Sequence, residues 1–321
     1  MTTDVLLLVF GIGSLYYGAD WLVRGSVRLA ATMGIPPLVV GLTVVAFGTS
    51  APELVACAVA VWENNPGIAI GNVMGSNLAN IGLILGLTSL VTPVEVSRQV
   101  VRRDAPAMIL VTLAIVPMVI WDETPMIGRI DGAVFLLVLI LYLLYTFYNA
   151  KAGDTAIVDE VKGMIRKEPR EPGVLIRNLV FILIGSAGLV VGGYSVVEGA
   201  REIAVALGVS EVVIGLTLVA VGTSLPELAT ALVAAARKEL SLAVGNVVGS
   251  NIFNFAAILG TVSVALPVSI DRSVLRRELL AVLFISLVLW GMMRHRWSIR
   301  RWEAAALLTV YLLLVVALLK V

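Results

Sequence analysis

The chain alternates long apolar runs with short polar breaks, and this alternation restricts the possible folds more than any other feature of the sequence. An α-helix needs roughly 20 mostly apolar residues to cross the hydrocarbon core of a bilayer, and about ten runs here approach that length. Charged residues make up only 14% of the chain, against about 25% in a typical soluble domain. The sequence therefore predicts an all-α integral membrane protein with the lipid bilayer as a partner.

Ten transmembrane helices are predicted from these runs. Between the fifth and sixth lies the one long hydrophilic stretch, residues 151–172, which reads as a solvated linker. The spans are placed near residues 5–23, 37–62, 68–92, 105–121, 129–149, 174–198, 211–236, 242–266, 276–293 and 302–319.

Two motifs occur twice in the chain. The segment 41–54 recurs at 215–228 with 11 of 14 positions identical, and the segment 71–81 recurs at 245–255 with 7 of 11 identical. Both pairs are offset by 174 residues without a gap. Self-similarity at a fixed offset indicates an internal repeat, so the chain is interpreted as a duplicated unit.

Five spans per repeat is an odd number, so the second copy must enter the bilayer inverted relative to the first. The predicted domains are a first five-helix repeat at 1–150, a linker at 151–172 and an inverted five-helix repeat at 173–321. With the N-terminus outside, 17 of the 23 Lys and Arg residues fall on the cytoplasmic side, as the positive-inside rule requires. The expected location is the cell membrane, multi-pass, with an outside N-terminus and a cytoplasmic linker.

Glu53 and Glu227 each interrupt a long, otherwise uncharged apolar run at equivalent places in the two repeats. A charge at the bilayer centre costs on the order of 3 kcal/mol even on the lenient insertion scale, so such residues are usually functional. A two-fold pseudo-axis in the membrane plane would bring the two glutamates together near the midplane, where inverted-repeat transporters bind their ions.

Residues with available oxygen atoms surround each glutamate at helical spacing. Pro52 and Pro226 precede the glutamates and free nearby backbone carbonyls, which a bound cation can satisfy. Carboxylate, hydroxyl and carbonyl oxygens suit calcium or sodium better than zinc or copper. The predicted ligands are Ala46, Thr49 and Ser50 beside Glu53, and Ala220, Thr223 and Ser224 beside Glu227.

The second repeated motif adds amides and hydroxyls at a spacing of four residues, which places them on one helix face. Gly71, Gly75, Asn77 and their counterparts are interpreted as helix-packing residues, because small residues and asparagines serve that role in membrane helices. Coordination of the cation is predicted instead for Ser76, Asn80, Ser250 and Asn254.

An intramembrane enzyme would need a nucleophile with a base, or a metal cluster. The one histidine, His295, lies in an arginine-rich segment, and the one cysteine, Cys57, lies within an apolar run. We therefore expect no enzymatic activity, no cofactor and no nucleic-acid partner, and a monomer is compatible with the sequence.

The motifs GTSAPEL and GTSLPEL, each followed about 20 residues later by GNVMGSN or GNVVGSN, resemble the two alpha-repeats of the sodium/calcium exchanger, or cation/calcium antiporter, superfamily. The resemblance covers nearly the whole chain and is closest to compact prokaryotic members. It implies that Glu53 and Glu227 are the central ion ligands, with the residues named above around them. The implied function is exchange of calcium for sodium by alternating access.

Two positions that vary within the superfamily indicate which ions are transported. Some relatives, including potassium-dependent ones, carry an aspartate where this chain has Asn80 or Asn254, so the site here has two carboxylates and potassium co-transport is disfavoured. Proton-coupled relatives typically have an asparagine within the Thr-Ser pair, which both motifs here retain, so sodium is favoured. A proton/calcium antiporter and, less favoured, a passive cation channel stay open as alternatives.

Overall fold

The fold is given by a computed structural model that describes residues 2–117, 126–152, 173–207, 222–269 and 272–319. Most of this part of the chain is helical. The helices are α1 (Thr2–Met33), α2 (Pro37–Thr49), α3 (Ala51–Trp62), α4 (Pro66–Val91), α5 (Ala105–Leu113), α6 (Arg129–Ala152), α7 (Val174–Ala206), α8 (Leu225–Ala236), α9 (Leu240–Ala265), α10 (Arg272–Arg296) and α11 (Arg301–Leu319).

Seven helices in the described part of the chain are long and apolar enough to cross a membrane, and α2 with α3 forms an eighth if the broken pair is counted as one span. The prediction of a mostly helical membrane protein is confirmed. The predicted spans 105–121 and 211–236 both include residues outside the described ranges, and α5 and α8 are the helices described within them. The arrangement of ten helices in two inverted repeats stays a prediction.

Helix α1 extends well beyond the predicted span 5–23, and α7 extends beyond 174–198. Near the end of the predicted span in α1, Asp20 and Arg24 form an ion pair of 2.9 Å one turn apart, which adds to the stability of the helix there. The helix ends at Gly34, whose φ of 67° is a conformation that glycine adopts without strain. Hydropathy alone located the apolar part of these helices and not their ends.

Four helical segments in the described part of the chain contain or adjoin a π turn, in which the backbone bonding pattern admits one extra residue. One lies in α2 at Gly41–Val45 and one precedes α5 at Val100–Asp104. The other two occupy equivalent places in α4 and α9, at Asn80–Ile84 and Asn254–Leu259. Each of these last two begins at an asparagine that the sequence predicts to be a cation ligand.

The chain forms two compact units, and unit 1 comprises residues 1–49 and 146–246. Its framework is the pair α1 and α7, which pack along their lengths through glycines. A Cβ atom added at Gly18 would lie 2.8 Å from the backbone N of Leu189, and one added at Gly185 would lie 2.5 Å from that of Leu22. Helix α8 packs against both members of this pair.

Unit 2 comprises residues 50–145 and 247–321, so each unit draws on both halves of the sequence. Here α4 packs against α3, α10 and α11. Short antiparallel ladders join the helix ends: β1 (Val94–Glu95) pairs with β4 (Ser298–Ile299), and β2 (Met126–Ile127) pairs with β3 (Val268–Ser269). The division into two inverted five-helix repeats, at 1–150 and 173–321, with a linker at 151–172 stays a prediction.

Candidate cation-binding site

Glu53 and Glu227 occupy the same local setting in the two units. Each is the third residue of its helix, α3 or α8, and each is only 1% exposed. Pro52 and Pro226 take the second helical position, where the missing N–H removes no helical hydrogen bond. The partial positive charge at a helix N-terminus stabilises a nearby carboxylate, so both helices support a buried anionic group.

In unit 2, the helix that carries Glu53 packs against α4 and against the π turn of α9. These two helices carry the serines and asparagines of the second repeated motif. The predicted ligands in this unit are all at most 3% exposed: Ser50, Glu53, Ser76, Asn80, Ser250 and Asn254.

Two amide–amide hydrogen bonds connect α4 with α9. Nδ2 of Asn80 donates to Oδ1 of Asn251 over 3.3 Å, and Nδ2 of Asn254 donates to Oδ1 of Asn77 over 3.0 Å. Oδ1 of Asn80 and Oδ1 of Asn254 are then buried without a hydrogen-bond partner within the described residues. A buried amide oxygen left in this way is costly, and a cation ligated there would satisfy it.

The sequence interpretation assigned Asn77 and Asn251 to helix packing, and the structure adds that they fix the orientation of the two predicted ligands. The bonds are reciprocal, since residue 77 pairs with 254 and 80 pairs with 251. The fixed offset between the repeats, combined with a two-fold relation, would have suggested this crossing pattern. No property of the single motif indicates it.

Hydroxyl groups of the predicted set are also buried without a partner in the part of the chain that the structure describes. These are Ser76, Ser224 and Ser250. Other buried atoms outside the predicted set, such as the hydroxyl of Ser263 farther along α9 and Oδ1 of Asn178, share this property, so the lack of a partner does not by itself identify a ligand. Ser224 stands at the N-cap of α8, yet its side chain makes no capping bond.

In unit 1, the helix that carries Glu227 packs against the Ala46–Thr49 end of α2. Ala46 and Thr49 are fully buried, and Thr223 is half-buried. Oγ1 of Thr49 lies 3.2 Å from Oδ1 of Asn246 and 3.4 Å from the carbonyl oxygen of Ala46. The remaining predicted ligand of this half, Ala220, lies outside the described residues.

The predicted ligands are thus divided between the units. Among the described residues there is no group of three or more His, Cys, Asp or Glu side chains that could hold a metal ion. Unit 2 holds Ser50, Glu53, Ser76, Asn80, Ser250 and Asn254, and unit 1 holds Ala46, Thr49, Thr223, Ser224 and Glu227.

Comparison with known proteins identifies the family. The family model described as "Sodium/calcium exchanger protein" matches residues 3–148 and 177–320. The chain belongs to the sodium/calcium exchanger family. The family resemblance predicted from the two repeated motifs is confirmed, and with it membership of a group of cation/calcium antiporters, which are transporters.

Relatives of this exchanger-family chain match it along nearly their full length. An uncharacterized membrane protein of Methanocaldococcus jannaschii is 35% identical over 319 residues, covering 97% of this chain and 99% of the relative. The sodium/calcium exchanger MaX1 of Methanosarcina acetivorans is 31% identical over 349 residues, covering 99% of each. The inner membrane protein YrbG of Escherichia coli is 36% identical over 291 residues, covering 90% of this chain and 88% of YrbG.

Solved structures of the sodium-calcium exchanger NCX_Mj have the same fold as this exchanger-family chain. A form soaked with sodium and calcium superposes with a TM-score of 0.82 at 33% identity, covering 98% of both chains. A form soaked with sodium and strontium gives a TM-score of 0.83 at 34% identity, covering 98% of this chain and 97% of the other.

Proposed function

We propose that this chain exchanges Ca²⁺ for Na⁺ across the cell membrane by alternating access to one site near the midplane. The observation that carries the proposal is the pair of glutamates, Glu53 and Glu227, each 1% exposed in an apolar helix beside buried oxygen ligands. The transported ions are the cargo, and the exchange involves no chemical step.

The charge balance of the site explains why transport would be an exchange. A carboxylate that is buried without a counter-charge in a medium of low dielectric constant is costly. Two carboxylates are neutralised by one Ca²⁺ or by sodium ions that replace it. The protein would therefore change conformation readily only when the site is loaded with one ion species or the other, and empty return would be slow.

The oxygen ligands proposed for the cation are buried oxygen atoms of both units. In unit 2 they include Oδ1 of Asn80 and of Asn254, whose amide groups are oriented by their asparagine neighbours. In unit 1 the carbonyl of Ala46 and the hydroxyls of Thr49 and Ser224 serve the same purpose. Hydroxyl, amide and carbonyl oxygens around carboxylates match the preferences of calcium and sodium.

Sodium is proposed as the coupling ion because the Thr-Ser pair is present at 49–50 and at 223–224. The relative MaX1 is named a sodium/calcium exchanger, and NCX_Mj carries the same description. Asn80 and Asn254 leave the site with two carboxylates, which argues against potassium as a third transported ion.

The moving part is proposed to be the pair α1 and α7. Their contact is built from glycines, whose bare backbone lets two helices approach closely, and Oγ of Ser14 donates to the carbonyl oxygen of Gly188 over 2.8 Å. The proposed topology places the N-terminus outside and residues 151–172 in the cytoplasm, and the proposed unit of function is a monomer.

The test is uptake of radioactive calcium into proteoliposomes loaded with sodium and diluted into sodium-free buffer. Uptake should require internal sodium, should be indifferent to potassium, and should disappear in Glu53→Gln and Glu227→Gln. Glu303→Gln is a matched control, because Glu303 is also a buried glutamate, 1% exposed, and accepts a hydrogen bond from the backbone N of Arg300 over 2.8 Å at the start of α11.

Each alternative has its own outcome in this assay. Calcium uptake that ignores sodium and follows a pH gradient would establish a proton/calcium antiporter. Calcium flux with no counter-ion requirement would establish a channel. Full activity in both glutamine variants would show that Glu53 and Glu227 are not the ion ligands.

A further inference from the structure

Unit 2 carries a cluster of arginines at one end of three of its helices. The cluster, here called the basic cap, lies where α4 has ended, where α10 ends and where α11 begins. All its arginines are exposed to solvent, and two tryptophans lie among them. The basic cap consists of Arg98, Arg102, Arg294, Arg296, Arg300 and Arg301 with Trp290 and Trp297.

The β1–β4 ladder holds the basic cap together. The backbone N of Val96 donates to the carbonyl oxygen of Trp297 over 2.8 Å and extends the ladder by one bond. The guanidinium carbons of Arg98 and Arg102 then lie 5.9 and 5.8 Å from the centre of the Trp297 ring. Two positive charges are therefore held no more than about 12 Å apart against one indole.

Helix α10 is hydrogen-bonded to the segment that follows β1. Nε1 of Trp290 donates to the carbonyl oxygen of Val101 over 2.8 Å, and Arg294 stacks over the Trp290 ring at 5.6 Å. Hydrogen bonds and ring contacts therefore hold the arginines of residues 96–102 close to those at the end of α10.

Trp297 stands where a glycine would be the least strained choice. It follows the last residue of α10 with a φ of 56°, and its backbone N closes the helix by donating to the carbonyl of Met293 over 3.0 Å. A bulky residue in this left-handed conformation is uncommon and strained. Despite this strain, position 297 carries a tryptophan, whose ring Arg98 and Arg102 contact.

The positive charge of the cap is not balanced by the acids around it. Across the described residues, none of its six arginines forms an ion pair. Asp104 is committed to Arg103 at 2.6 Å, and Glu303 is buried at the start of α11. Glu95 is the remaining nearby carboxylate and is exposed on β1.

The corresponding segment of the first half has the opposite charge. Residues 294–297, which precede β4, read RHRW, whereas residues 122–125, which precede β2, read DETP. Both strands are followed two residues later by a helix that starts with arginine, Arg301 or Arg129. Arginines also flank the β2–β3 ladder, at 129, 272, 276 and 277, but the basic RHRW segment has no counterpart directly before β2.

We propose that the basic cap binds the headgroup phosphate of an anionic phospholipid, with Arg98 and Arg102 as its main contacts. The cap lies at the ends of apolar helices that meet the criteria for membrane spans, which is where lipid headgroups lie. Half-buried tryptophan favours that interfacial region, and basic pockets between spans suit anionic headgroups. A soluble anion would gain the charge contacts and nothing from the apolar surroundings.

The test is native mass spectrometry of the full chain in mild detergent with equimolar phosphatidylglycerol and phosphatidylcholine. Wild type should retain phosphatidylglycerol preferentially. The double variant R98Q/R102Q should lose about 30-fold of that preference, since each basic residue near an anionic surface contributes a factor of roughly five. The matched control is R272Q/R276Q, the corresponding arginines of the second half, which should leave the preference unchanged.

Two further variants separate the role of charge from that of folding. R98K/R102K retains both charges and should keep most of the preference. W297G retains every charge and relieves the strained backbone, yet should weaken the preference a few-fold because the ring no longer holds the arginines. No headgroup preference in wild type, an equal loss in both double glutamine variants, or displacement of the lipid by millimolar inorganic phosphate would overturn the proposal.

Discussion

Nδ2 of Asn254 lies 3.0 Å from Oδ1 of Asn77, so one predicted ligand is held by a residue outside the predicted set. An asparagine side chain that donates its amide in one direction presents its oxygen in the other. The bond between Asn80 and Asn251 repeats the arrangement at 3.3 Å. The two bonds thus decide which atom of each amide is available to a cation.

Replacing Asn77 by alanine should therefore lower calcium affinity about five- to tenfold, as expected for the loss of one positioning hydrogen bond worth ~1 kcal/mol. The measurement is the calcium-induced rise in melting temperature of the purified protein. Asn178→Ala is the control, because Asn178 is also fully buried and donates to Oγ1 of Thr32 over 3.3 Å in unit 1. A variant of Asn77 that melts earlier but responds normally to calcium would show a packing role only.

Ser250→Ala should reduce calcium affinity, whereas Ser263→Ala should not. Both serines are fully buried on α9 and both hydroxyls lack a partner within the described residues. They stand 13 positions apart, or about 20 Å along a helix. The chemical change is the same, so a difference in calcium titrations isolates position. Equal titrations would remove Ser250 from the ligand set.

The contact between α1 and α7 predicts different tolerances at two glycines of the same helix. Gly18→Ala should cost about 1–3 kcal/mol of stability, because the new Cβ would lie 2.8 Å from the backbone N of Leu189. Gly13→Ala should be neutral or stabilising by up to about 1 kcal/mol, since nothing lies within 4 Å of its added Cβ. Thermal unfolding followed by size-exclusion chromatography measures both. Similar melting temperatures would contradict the packing.

Asp20 connects α1 to the end of the helix that carries Glu227. It accepts a hydrogen bond from Nε of Arg237 over 2.6 Å and pairs with Arg24 at 2.9 Å, while remaining 5% exposed. Arg237→Gln should lower stability by about 1–2 kcal/mol, because a mostly buried carboxylate loses one of its two counter-charges. The exposed neighbour Lys238 provides the control in Lys238→Gln. A loss that vanishes at high salt would indicate a solvent-screened pair instead.

Hydropathy and internal similarity predicted much of the fold, because the cost of burying polar groups in lipid dictates where helices can lie. They did not predict the break at Ser50, the π turns or the two-residue strands. These features depend on the pattern of backbone hydrogen bonds. Two sequences of the same hydropathy can differ in that pattern.

The candidate site was predicted residue by residue from charge in an apolar setting and from helical spacing. Glu53 and Glu227 are buried as an intramembrane role requires. The roles of Asn77 and Asn251 were missed because their partners lie more than 170 positions away. Spacing along one helix gives no information about a bond to another, and only the three-dimensional packing supplies it.

The π turns at Asn80 and Asn254 limit the insertions and deletions that α4 and α9 can accept during evolution. Each admits one residue more than a regular turn and so offsets the helix faces on its two sides by about 100°. A residue gained or lost inside α4 or α9 would rotate one side of the helix against the other, whereas a substitution leaves the register intact. The two halves of the chain show this restriction. They differ at many positions, yet they align without a gap at an offset of 174 residues, from Gly34 and Gly208 to Pro93 and Pro267. Relatives of this chain are therefore expected to tolerate substitutions in α4 and α9 outside the repeated motif, but hardly any insertion or deletion.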